Sequence, residues 1–216
     1  MLFRSAGRKG PVVLALPEDV LYMTGEEHPV APAHIVQPGL DVNAFNQAMQ
    51  VFANAKRPMI IAGGGNWNRA ACDRLSAWAN QEGVPVATSF RSQDLIDNLD
   101  AIFAGDLGIG ANPALVKRVQ SADVLLVIGE RLGEMTTAGY SVFKVPKANN
   151  TLIHVHSGSE ELGRVYRPDF ALNCSPENFC SALSAIKMNG NYDSNAGKAS
   201  HVEYLAFASP VTVPGD

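Results

Sequence analysis

MIIAGGGNWNRAACDRLSAWANQEGVPVAT, residues 59–88, is the stretch on which the fold turns. Met59–Ala62 is a short, continuous apolar run of the kind found in strands buried on both faces. Gly63, Gly64 and Gly65 follow it as a turn. Ala71, Leu75, Trp78 and Ala79 then share one face of a helix, and Gly83 stops it. Val84–Thr88 is apolar again, so a strand, a helix and a second strand follow one another through short turns.

The alternation continues in both directions. Upstream, Val42, Phe45, Met49 and Phe52 recur at helical steps behind Asp41, a suitable N-cap. Downstream, GDLGIGANP at 105–113 is expected to bend the chain, with Asn112 and Pro113 opening a helix that carries Leu115, Val116 and Val119. Asp123–Ile128 is the strongest strand signal, and Thr151–His156 is the next. Ser157 and Glu160 have capping-box spacing at the start of a short helix. Phe170–Asn173 reads as a last strand, and Ser175-Pro176 opens a helix burying Phe179, Leu183 and Ile186. Strands alternating with helices across 41–187 predict an α/β fold: a Rossmann-like open parallel sheet of about six strands with helices on both faces.

Outside that span the signals weaken. Pro11–Leu16, PVVLAL, reads as an isolated buried strand; residues 24–40, punctuated by Pro and Gly, read as a linker; and 188–216, rich in Gly, Asn, Ser and Pro, read as a linker or disordered tail. The chain has 216 residues, 46% of them hydrophobic, which suits one core with appended segments. With 17 Lys+Arg against 21 Asp+Glu it has no basic surplus for nucleic acid. Its apolar runs fall far short of the ~20 residues of a spanning helix, and no basic-then-apolar signal opens it, so a cytoplasmic protein with no membrane partner is expected. Cys72, Cys174 and Cys180 lack any paired spacing and are expected as buried or idle thiols.

In an open parallel sheet, ligands bind beyond the carboxyl ends of the strands. Gly63, Gly64 and Gly65 sit at such an end and would let a diphosphate approach bare main chain, although they do not spell GxGxxG and also suit a plain tight turn. Leu107 and Gly108, with Ile109 and Gly110, suit either a ring or ribose contact or a β-to-α turn. Gly129 and Arg131 follow the strongest strand, where a guanidinium grips phosphate or simply meets solvent. His154 and His156 are expected to face opposite sides of the sheet and to pack or hydrogen-bond rather than share a metal. Glu130 and Glu134 are expected on a solvated face. No nucleophile–base set is legible, nor any GxSxG elbow.

The order of motifs resembles a known family. GRKGPVVLALPEDV (7–20) looks like the closing strand of the pyrimidine-binding domain in acetolactate synthase-like thiamine-diphosphate enzymes. AKRPMIIAGGG (55–65) resembles the opening of that family's central domain, and AGDLGIGANP, SADVLLVIGERLGE and TLIHVHSGSEELGR follow in the family's order. The resemblance implies a remnant of the preceding domain at 1–23, a linker at 24–40, the central domain at 41–187 and a linker beyond. It implies thiamine diphosphate and magnesium in the parent enzyme at sites outside this chain, which alone would be inactive, and FAD or ADP bound without redox use in this domain. By similarity the nucleotide meets Gly63, Gly64, Gly65, Thr88, Ser89, Leu107, Gly108, Gly129 and Arg131. The chain departs from the FAD-binding pattern where His156-Ser157-Gly158 replaces Asp-x-Asp, and again at Gly133-Glu134 and Asn173-Cys174.

Two other readings remain open. One is an autonomous nucleotide-binding or NAD-consuming protein with His156 as its base; the other is a structural, oligomerising domain with an empty site. Exposed apolar surface at PVVLAL would favour a homo-oligomer.

Overall fold

The computed structural model describes residues 10–26, 28–31, 34 and 36–209. Gly7, Arg8 and Lys9 of the first motif, Pro32 and residues 210–216 of the tail lie outside the described residues. The strands are β1 (Pro58–Ala62), β2 (Val86–Ser89), β3 (Phe103–Leu107), β4 (Val124–Ile128), β5 (Thr151–His156) and β6 (Phe170–Asn173). They form one six-stranded, all-parallel sheet in the order β3-β2-β1-β4-β5-β6. From β1 the chain winds outward to β3, then returns to start β4 on the other side of β1. The loops after β1 and β4 therefore part in opposite directions and leave a crevice between them.

The helices are α1 (Glu18–Leu21), α2 (Val42–Ala53), α3 (Arg69–Glu82), α4 (Pro113–Ser121), α5 (Pro176–Leu183) and α6 (Ala196–Ala208). Asp41, Asn68, Asn112 and Ser175 each cap the helix that follows by accepting a main-chain N–H that has no partner within the helix. Gly83 closes α3 in the left-handed conformation, at φ 70°.

Alternate residues of each central strand serve opposite faces. Ile60, Leu126, Ile128, Ile153 and Val155 join Phe45, Phe52, Leu75, Trp78, Phe179 and Leu183 under α2, α3 and α5. Met59, Ile61, Leu125, Val127 and Leu152 face the other way, under Leu115 and Val119 of α4 and under Leu132, Val142 and Phe143 of the long segment 129–150. The expected architecture is therefore present, with that segment doing on the second face much of the covering that helices do on the first.

Three expectations are corrected. Residues 11–16 form no strand: Val12, Val13, Leu14 and Leu16 are exposed, because an apolar run becomes a strand only where a sheet edge pairs with it. β3 runs through the start of the stretch expected to bend. Gly105, at φ 108°, sits where the β2–β3 register shifts, and such a bulge bends a strand without ending it. The tail is not structureless, since residues 196–208 form α6, which docks on β3. His201 Nδ1 donates to Phe103 O over 3.0 Å, and Tyr204 packs edge-on against Phe103.

Candidate functional site

At the carboxyl ends of β1, β4 and β5, a cleft of about 250 Å³ is lined by Gly64, Gly65, Asn66, Gly129, Glu130, Arg131, His156 and Ser157. It opens toward Trp67, Arg69 and Arg91 on one side and toward Phe90 and Met135 on the other. This is the switch point of the sheet.

Two glycine turns make its floor. Gly64 (φ 69°) and Gly129 (φ 75°) adopt a conformation that favours glycine. A Cβ on Gly64 would fall 1.9 Å from Gly129 O, and one on Gly129 would fall 2.5 Å from Gly63 O. Trp67 Nε1 donates to that same Gly63 O over 2.8 Å. The glycines expected to admit a diphosphate thus first admit each other. Gly63 is buried against Ser89 and Glu130, whereas a Cβ at Gly65 would meet nothing within 4 Å. Gly64 and Gly65 are exposed and present main chain to the cleft.

The end of β5 forms one wall. His154 and His156 share a face, their ring centroids 6.2 Å apart, because side chains two residues apart along a strand point the same way; the expectation of opposite sides is corrected. His154 Nε2 donates to Glu130 O over 2.7 Å, while its buried Nδ1 has no partner among the described residues. His156 Nδ1 lies 3.0 Å from both the main-chain N–H and the carbonyl oxygen of Gly158, which tie the ring to the turn that follows. The expected capping box does not form. Gly158 holds the N-cap position of a 3₁₀ turn, Ser159–Glu161, and the buried Ser157 Oγ has no partner among the described residues. An orphan hydroxyl on a cleft-lining residue calls for a partner that the described residues do not supply.

Glu130 departs from its expected solvated face: it is 6% exposed, and Oε1 accepts from Thr136 Oγ1 at 3.3 Å and Gly133 N at 3.4 Å. Glu134 is exposed, as expected. Arg131 is exposed beside Gly133. Of the residues singled out in the sequence, Gly64, Gly65, Gly129, Arg131 and His156 line the cleft. Thr88, Ser89 and Leu107 are buried away from its lining, and Gly108 packs on Phe90. Sequence reasoning missed Asn66, Glu130 and Ser157. Asn66, Arg91 and Leu132 on the surrounding loops are non-glycine residues at positive φ, strain of ~1–3 kcal/mol each that collects at ligand sites.

Burial lowers the His154 pKa from 6.5 to about 4, with the neighbouring His156 adding to the shift. A depressed folded-state pKa means that the stabilisation is complete above pH 6.5 and is lost as pH falls toward 4. The loss should reach about 3 kcal/mol near pH 4. Urea midpoints measured from pH 7 to pH 4 should show this decline, and His154→Gln should flatten it. Identical pH profiles for the two proteins would contradict the assignment.

Fold and cleft together define a doubly wound α/β domain with a ligand-sized crevice at its switch point. The chain belongs to the thiamine pyrophosphate enzyme central-domain family, whose model matches residues 45–183. It is 28% identical over 178 residues to the acetolactate synthase large subunit of Parasynechococcus marenigrum, covering 79% of this chain and 28% of that one. It is 26% identical over 204 residues to the sulfoacetaldehyde acetyltransferase of Alcaligenes xylosoxydans xylosoxydans, covering 94% and 34%. The chain thus spans about a third or less of the length of these curated relatives. Among solved structures, benzoylformate decarboxylase from Polynucleobacter necessarius shares the fold, with a TM-score of 0.63 at 20% identity over 86% of this chain and 35% of that one.

Proposed function

We propose that this chain is the central, non-catalytic domain of an acetolactate synthase-like enzyme acting on 2-oxo acids, and that its cleft binds FAD or ADP as a non-redox ligand. The observation that carries the nucleotide reading is the set of donors at the switch point: open main chain at Gly65, the exposed Arg131 guanidinium and the orphan Ser157 hydroxyl. Main-chain N–H groups and a guanidinium fork are the groups that hold a diphosphate. Thiamine diphosphate and magnesium belong, on this reading, to the parts of the parent enzyme outside this chain. There the thiamine supplies the electron sink for carbanion chemistry. A cytoplasmic homo-oligomer fits the same picture.

The close packing of Gly63 and Gly64 against the β4 loop favours a second reading, in which the turns serve structure alone. Titration calorimetry with ADP and FAD separates the two. Saturable binding is expected, weakened at least ~10-fold in Arg131→Ala. No binding of either nucleotide at millimolar concentration would leave the domain a structural spacer.

A further inference from the structure

The groups just described are donors, and one cleft-lining residue does not match them. Glu130 is the only carboxylate among the residues lining the cleft, and burying a charge is costly unless something answers it. Its Oε1 has two long contacts, at 3.3 and 3.4 Å, and among the described residues no hydrogen bond reaches Oε2. Oε2 lies beside Gly63, 2.9 Å from where a Cβ would stand. The residue is held from two further sides. His154 Nε2 grips its carbonyl, and the preceding Gly129 N donates to Val155 O over 2.8 Å, continuing the β4–β5 ladder.

A fixed carboxylate with a free oxygen accepts from a ligand O–H or N–H, and cannot favour a phosphate, which brings acceptors only. In a nucleotide the vicinal ribose hydroxyls offer two donors on one rigid ring, and acidic side chains in dinucleotide folds take this group. We propose that Glu130 is the specificity-determining residue of the cleft, accepting from the ribose hydroxyls while Arg131 and Ser157 face the phosphates. The proposal rests on the nucleotide reading above, and it orients the ligand within the cleft.

The test compares ADP with 2′,3′-dideoxy-ADP by titration calorimetry on the wild-type chain and on Glu130→Gln. The wild type should prefer ADP at least ~10-fold, and Glu130→Gln should narrow the preference below ~3-fold by weakening ADP binding, since a charge-assisted hydrogen bond is lost. Thr136→Val, which removes the hydroxyl that steadies Oε1, should narrow it in the same direction and serves if the first variant does not fold. A full preference retained in both folded variants overturns the role of Glu130 and leaves the nucleotide reading standing. Equal wild-type affinity for the two ligands does the same. Failure of both to bind the wild type overturns the nucleotide reading, and this assignment with it.

Discussion

Gly64→Ala is expected to destabilise the domain by about 4 kcal/mol or more, a large part of the ~5–15 kcal/mol that holds a typical domain together. Two costs add. The residue sits at φ 69°, where a side chain is strained by ~1–2 kcal/mol. The new Cβ would also stand 1.9 Å from Gly129 O and 2.8 Å from Gly129 C, both main-chain atoms with no rotamer to change. Relief requires moving the β1 or β4 loop. Those loops leave strands paired in unbroken register from Pro58↔Val124 to Ala62↔Ile128, with Gly63 N still bonded to Ile128 O at 3.0 Å. Overpacking of this kind costs ~1–3 kcal/mol even where side chains can yield. Gly65→Ala is the control, since its Cβ would meet nothing within 4 Å and its stability should stay within ~0.5 kcal/mol of wild type. Urea denaturation measures both. A Gly64→Ala midpoint close to that of Gly65→Ala would mean that the turns do not interlock as described.

The same pair of turns shows how far the sequence alone reaches. MIIA and VLLVI were legible as buried parallel strands because both of their faces are covered, leaving no polar residue to interrupt them. The caps at Asp41, Asn112 and Ser175 were legible because each is a side-chain oxygen just ahead of an apolar face. β3 was not, because FAGDL carries a glycine and an acid, which read as a turn until the neighbouring strand is known. At the cleft, Gly64, Gly65, Gly129 and Arg131 followed from the strand-end rule. The burial of Glu130 did not follow, for a carboxylate after a strand reads as surface. Its partner Thr136 is brought near only by the folding of the 129–150 segment, and Gly63 only by the pairing of β1 with β4. The orphan hydroxyl of Ser157 likewise exists only in the fold, where Gly158 and not Ser157 holds the N-cap position of the turn.

α6 went unread for a related reason, and its removal carries the second large expected effect. Val202, Leu205 and Phe207 are exposed, so the apolar residues do not mark the buried side. The docking is made instead by Gly197, Ser200, His201, Glu203 and Tyr204. Gly197 N donates to Gly83 O over 2.9 Å, Asn112 Nδ2 donates to Glu203 O, and Arg118 makes two bonds to the Glu203 carboxylate. Ahead of the helix, Tyr192 packs against Phe52 and donates to Glu82 Oε2 over 3.2 Å. Deleting residues 189–216 strips a buried carboxylate of that donor, uncovers Ile102 and Phe103, and bares one side of an edge strand. A lost partner at a buried group is worth ~1–3 kcal/mol and an edge-on aromatic pair ~1 kcal/mol, before the apolar area is counted. A loss of about 5 kcal/mol in all is expected, together with aggregation through the open edge. Tyr204→Ala should reproduce roughly half of the loss, whereas Arg118→Ala, which breaks a partly exposed ion pair, should cost no more than ~1 kcal/mol. Urea midpoints and light scattering report the two consequences separately. A truncated chain that does not aggregate and unfolds at the wild-type midpoint would show that the sheet needs no cover at β3.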